Sequence, residues 1–99
     1  MMFKIEYSKQ AEEDIENLFN VIAAEYKAPI TAFRYINGLI ETINSLRRNA
    51  AAFTFYTSDF VKPYGTNVKR INYKKMAIIF TVFENVVYIH RVIPSATIS

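Results

Sequence analysis

The sequence predicts an α+β fold in which one strand and a pair of helices precede a three-stranded meander, in the order β-α-α-β-β-β. Three observations carry this. Two segments of the first half place apolar residues at three- and four-residue intervals, the pattern of helices with one buried stripe. Three segments of the last third are strand-like, each about seven residues long and bounded by polar pairs. The middle one, Met76–Phe83, is apolar on both faces apart from Thr81, as a central strand covered on both sides should be.

Each element follows from local chemistry. Residues 3–7, Phe-Lys-Ile-Glu-Tyr, alternate apolar and polar, so they form a short half-buried strand. Ser8 is a good helix N-cap, and Glu12, Glu13 and Asp14 follow near the first turn, where the helix dipole favours negative charge. Ala11, Ile15, Leu18, Ile22 and Tyr26 make one stripe, so the first helix runs from Lys9 to about Tyr26. Pro29 breaks that pattern and suits the first turn of a second helix. Its stripe is Ala32, Ile36, Leu39, Ile43 and Leu46, widened by Phe33 and Ile40. So short a connection makes the helices antiparallel, and their shared apolar side needs the sheet as a partner.

Residues 49–67 are the least regular part. Phe53, Phe55, Tyr56 and Phe60 distinguish them from a solvated linker. Residues 53–57 form either a short extra strand or an aromatic cap on the open end of the core. Pro63 and Gly65 mark a turn. In the strand over 68–73, Val68, Arg70 and Asn72 share one face, and Lys69, Ile71 and Tyr73 the other. Lys74-Lys75 and Glu84-Asn85 are the hairpin turns. The last strand puts Val86, Tyr88, His90 and Val92 on one face, and Val87, Ile89, Arg91 and Ile93 on the other. Pro94 ends it, and residues 95–99 are a short neutral tail.

The 99 residues suit a single domain spanning 1–99, and 52% apolar content is too high for disorder. The absence of cysteine excludes disulfides and thiolate metal sites and suits a reducing cytoplasm. One histidine cannot make a histidine-rich metal site, and no apolar run approaches a membrane span. Neither a metal nor a cofactor is expected. Charge is uneven: residues 1–49 hold six basic and seven acidic side chains, residues 50–99 six and two. Lys69, Arg70, Lys74 and Lys75 cluster around one strand and turn. Such a cluster attracts phosphate or an acidic protein segment; equally, lysines solubilise a sheet edge and block edge pairing.

No nucleophile motif or phosphate-binding glycine loop is present. His90 reads as a half-buried, hydrogen-bonded side chain. Arg91, among apolar neighbours, either snorkels to the rim or is held for an anion. Arg70 shares its face if the strand register permits.

The order of elements, together with particular residues, resembles the RelE/ParE family of toxin-antitoxin toxins. The resemblance rests on Ile5-Glu-Tyr-Ser8-Lys-Gln-Ala11 before a helix with Ile15 and Leu18, and on Pro29 and Ala32 opening a helix that ends Ile43-Asn-Ser-Leu46. It rests further on Arg70-Ile-Asn-Tyr73, Ile79-Phe80-Thr-Val82 and Val87-Tyr-Ile-His-Arg-Val92. It implies a helical hairpin on a curved, mostly antiparallel sheet. It also implies a cytoplasmic toxin with a cognate antitoxin as partner; the oligomeric state, a homodimer included, is left open. In the nuclease branch of the family, basic sheet residues act with an arginine, tyrosine or histidine near the C-terminus. Here Arg70 stands for one basic residue, the arginine of the third strand falls near Ala77, and residues 94–99 hold no arginine, tyrosine or histidine. The resemblance is therefore to the ParE-like, plasmid-stabilisation branch, which implies binding of DNA gyrase and no catalysis by the toxin itself. Lys69, Arg70, Lys74, Lys75 and Arg91 are the residues expected to meet target or antitoxin. The alternatives are a RelE-like ribosome-dependent mRNA endonuclease and a non-toxic antitoxin-binding module.

Overall fold

Ser8 joins the first strand to the first helix, and three hydrogen bonds hold it there. In the computed structural model, which describes residues 2–98, its hydroxyl accepts from the Ala11 amide at 2.9 Å and donates to the His90 carbonyl at 3.0 Å. Its own amide donates to the Ile89 carbonyl at 2.9 Å. Strand β1 (Lys4–Tyr7) thus leads directly into α1 (Lys9–Tyr26) and α2 (Pro29–Asn49). Lys27 takes a left-handed conformation as the C-cap of α1 (φ 51°), and Pro29 sits in the first turn of α2. After two 3₁₀ segments, Ala50–Ala52 and Asp59–Tyr64, the chain forms β2 (Lys69–Tyr73), β3 (Met76–Phe83) and β4 (Val86–Pro94).

The sheet order is β1-β4-β3-β2. β3 lies between β2 and β4, antiparallel to both, and β1 is parallel to β4. The helices lie on one face. Ala11, Leu39, Ile43 and Leu46 pack there on Ile78, Phe80, Val87, Ile89 and Val92. Full burial of each larger side chain contributes about 1.5–3 kcal/mol.

The opposite face is covered by the irregular segment over 56–64. Val61, Val68, Ala77, Ile79, Ile93 and Ile98 form a second buried cluster, with Tyr56, Phe60 and Tyr64 against it. Residues 53–57 are not a full strand: a single bridge joins Phe55 to Lys69. Phe53 instead packs edge-on against Phe80, centroids 5.7 Å apart. The tail is also not loose. Ser95–Ile98 forms a 3₁₀ turn, the Ser95 amide donates to the Lys75 carbonyl at 2.8 Å, and Ile98 is buried. Ser99 lies outside the described residues. β3 is covered on both sides only over its first half, since Phe83 at its end is exposed.

One expectation about β4 is corrected by a β-bulge. Ile79 pairs with Arg91 but Phe80 pairs with Ile89, so β4 carries one extra residue at that point. An extra residue reverses the alternation beyond it. Val92 therefore joins Val87 and Ile89 under the helices, and Ile93 turns to the second cluster. Strict alternation had predicted the reverse.

Gly38 of α2 lies against the Tyr73 side chain of β2. A Cβ at this position would collide with the Tyr73 ring, which stacks edge-on with Tyr35 at 5.2 Å between centroids. Gly38→Ala should therefore lower stability by about 1–3 kcal/mol, the usual cost of overpacking, although alanine is the better helix former by about 1 kcal/mol. Urea unfolding at equilibrium measures this; a stabilised variant would mean that the ring moves aside freely.

Candidate functional site

The basic residues singled out in the sequence divide into interior, anchored and open charges. Lys69 is interior, which corrects its expected place on the surface. It is only 8% exposed, and its Nζ donates to the carbonyls of Ala50 (3.2 Å) and Ala51 (3.3 Å). It caps the carbonyl end of α2, where the dipole favours a cation.

Arg70 and Arg91 fall on one cross-strand row, because Arg70 pairs with Ile79 and Ile79 with Arg91. Each is anchored. Arg70 Nε donates to Asn72 Oδ1 at 2.8 Å and Nη1 to the Tyr56 hydroxyl at 3.0 Å. The Tyr56 hydroxyl in turn donates to the Ile98 carbonyl at 3.2 Å, which ties this arginine to the tail. Arg91 reaches over the end of β1 to Asp14 on α1, with Nε–Oδ2 at 2.8 Å and Nη2–Oδ1 at 3.2 Å. This two-pronged contact raises the guanidinium above its ordinary pKa, while partial burial opposes it.

Lys74 and Lys75 are open charges at the β2–β3 turn. Lys74 has a positive φ of 52° and lies over the rings of Tyr35 and Tyr73 at 5.3 and 5.5 Å. Neither lysine has an acidic partner among the described residues, where the ion pairs are Asp14–Arg91 and Asp59–Lys62.

His90 is half-buried as expected. Its Nε2 lies 2.8 Å from Thr81 Oγ1, and its ring faces Tyr64 at 5.1 Å. Burial lowers its pKa, which keeps the imidazole neutral. Among the described residues no cluster of three His, Asp or Glu side chains could hold a metal.

The most informative residue absent from the sequence-based set is Asp14. Besides holding Arg91, its Oδ2 accepts from the Val92 amide at 3.0 Å. Its signal was its position: with Ala11 and Leu18 it follows the i, i+3, i+7 spacing of the buried stripe, so it is a charge on an apolar face. Next to it, a groove of about 420 Å³ opens between α1 and the second half of β4, lined by Leu18, Val21, Met76, Val92 and Pro94 among others. Val21 at its rim is 60% exposed.

A family model described as the ParE toxin of the type II toxin-antitoxin system parDE matches residues 5–98. The chain belongs to the ParE toxin family. It is thus a type II toxin-antitoxin toxin of the ParE/RelE class. No curated protein sequence matches it. Among solved structures it is similar to that of the chromosomal ParDE toxin-antitoxin system of P. aeruginosa, with a TM-score of 0.78 at 15% identity over 94% of this chain and 96% of that one. It is also similar to the RelBE2 toxin-antitoxin complex of Mycobacterium tuberculosis, with a TM-score of 0.66 at 12% identity over 95% and 99%. At such low identity these likenesses establish the fold: a helical hairpin on a four-stranded mixed sheet. No described helix is long and apolar enough to cross a membrane.

The His90 environment gives a pH dependence with a definite sign. Its folded pKa lies below the unfolded value of about 6.5, so the unfolded state binds more protons on acidification. Its contribution is fully present above about pH 6.5 and is lost as pH falls toward the folded pKa. Melting temperature should therefore drop between about pH 7 and 5, and His90→Gln should flatten part of that drop. An unchanged slope in the variant would contradict the burial of a neutral imidazole.

Proposed function

We propose that this ParE-family toxin acts by binding DNA gyrase, cuts no RNA itself, and is neutralised by an antitoxin encoded beside it. The observation that carries the reading is the state of its sheet cations and histidine. Arg70 is engaged by Asn72 and Tyr56, Arg91 by Asp14, and His90 by Thr81. Cleavage of RNA at the 2′-hydroxyl needs a group to take a proton, one to stabilise the phosphate and one to assist the leaving oxygen. Residues 94–99, Pro-Ser-Ala-Thr-Ile-Ser, add no ionisable side chain to that set. Binding needs only a complementary surface, and Arg70, Lys74 and Lys75 supply the charge for one. Membership of the ParE family supports gyrase over the ribosome. The antitoxin partner is supported by the two similar structures, both of toxin-antitoxin systems.

Induced expression distinguishes the targets. Gyrase supercoiling should be inhibited by the purified toxin while mapped transcript ends stay unchanged in cells. Codon-register cleavage that disappears in Arg70→Ala would overturn the gyrase reading.

The open lysines should act on encounter with the antitoxin. Rim charges steer association more than they hold the complex, whereas ordering a flexible segment costs several kcal/mol that apolar anchors must offset. Replacing Lys74 and Lys75 with Glu should slow association by about tenfold at low salt and weaken its salt dependence, with little change in dissociation. Stopped-flow mixing at two salt concentrations reads both rates. Association at the wild-type rate would make the pair a solvated edge.

A further inference from the structure

We propose that the outer edge of β1 pairs with itself, so that two copies of this chain join their sheets about a two-fold axis at Ile5. β1 is an edge strand whose odd-numbered residues turn their donors outward. The amides of Lys4 and Ser8 reach across to the carbonyls of Asn85 and Ile89, at 2.8 and 2.9 Å. Successive residues of a strand face opposite sides, so the amides of Ile5 and Tyr7 point away from β4. The Phe3 amide follows the same rule and donates to the Arg47 carbonyl of α2 at 2.8 Å, which closes the edge at its start. No hydrogen bond among the described residues engages the Ile5 or Tyr7 amide.

The side chains decide the occupant. Lys4 and Glu6 share one face, both are exposed, and neither has an ionic partner among the described residues. In an antiparallel pair centred on Ile5, the two Ile5 residues exchange both backbone hydrogen bonds. Lys4 then stands opposite Glu6 of the second copy, and Glu6 opposite its Lys4. These are non-hydrogen-bonded positions, where side chains approach most closely and opposite charges attract. On the other face Ile5, half-buried against the helix-side core, meets its own copy and carries that core across the axis.

The other edges do not suit a second copy. β2 is closed at its start, where the Tyr56 amide donates to the Val68 carbonyl, and it then carries Arg70, Lys74 and Lys75, which would meet like charges. Beyond Ile89 the outer edge of β4 has its Val92 amide held by Asp14, and Pro94 has no N–H. Joined at β1, two four-stranded sheets become one, with β2 and its basic turn outermost on each side. The contact is isologous and closes at two copies. A strand of four residues makes it a weak, exchanging dimer.

Sedimentation equilibrium of the purified full chain should show a monomer–dimer equilibrium that weakens as salt is raised. Lys4→Glu and Glu6→Lys change exposed positions, so the fold is retained, which circular dichroism checks. Each alone sets like charges opposite one another and should weaken the dimer about tenfold. The double variant Lys4→Glu/Glu6→Lys restores both pairs and should dimerise within about threefold of the wild type. An equimolar mixture of the two single variants should form a heterodimer. A chain that stays monomeric at every concentration overturns the β1 pairing. So does a dimer indifferent to either single change, since the copies then meet elsewhere. Failure of both the double variant and the mixture to restore association overturns it as well.

Discussion

One carboxylate holds together the parts of this molecule that matter for its surface. Asp14 accepts from the Arg91 guanidinium and from the Val92 amide at once, and so fixes the β4 bulge against α1. The bulge decides which residues of this strand enter which core. Before it, Val87 and Ile89 face the helices; after it, Val92 faces them again and Ile93 reaches the opposite cluster. Without the extra residue, Val92 would turn away from the helices and Ile93 toward them. A bulge disrupts the ladder locally and persists where its groups find other partners; Ser8 and Asp14 are those partners.

The same contact shapes the electrostatics. Arg91 is drawn to the rim by Asp14 and lies over Phe60 at 5.6 Å. Lys69 is drawn inward by the carbonyls at the end of α2. The chain's +3 charge is thus not spread over the sheet. Its open part near the meander narrows to Arg70, partly engaged, and to the Lys74–Lys75 turn. The open cations are thus gathered at one strand and turn rather than along the whole sheet.

Much of this was legible from residues 1–48 and 68–94. The stripe Ala11–Ile15–Leu18–Ile22 and the apolar run Met76–Phe83 are periodic, and periodicity survives any tertiary context that buries one face. The meander with Met76–Phe83 inside the sheet was legible, but the place of β1 beside β4 and its parallel sense were not, because they depend on contacts more than 80 residues apart, such as Ser8 with His90. Residues 49–67 failed for a different reason. Their aromatics are spaced to meet a sheet face, with Val61 and Tyr64 on one short 3₁₀ segment, and have no helix or strand period of their own. The charged cluster misled at Lys69 because adjacent strand residues point to opposite faces, so Lys69 and Arg70 could not share a surface.

The most direct measurement of the central constraint is amide hydrogen exchange at Val92. If Asp14 holds the bulge, the Val92 amide is strongly protected in the wild type although β4 has no strand paired to its outer side there. In Asp14→Ala that protection should be lost selectively, while Ile78 and Phe80 at the sheet centre remain protected. Equal protection of Val92 with and without the Asp14 carboxylate would contradict this, since the bulge would then be held by the strand alone.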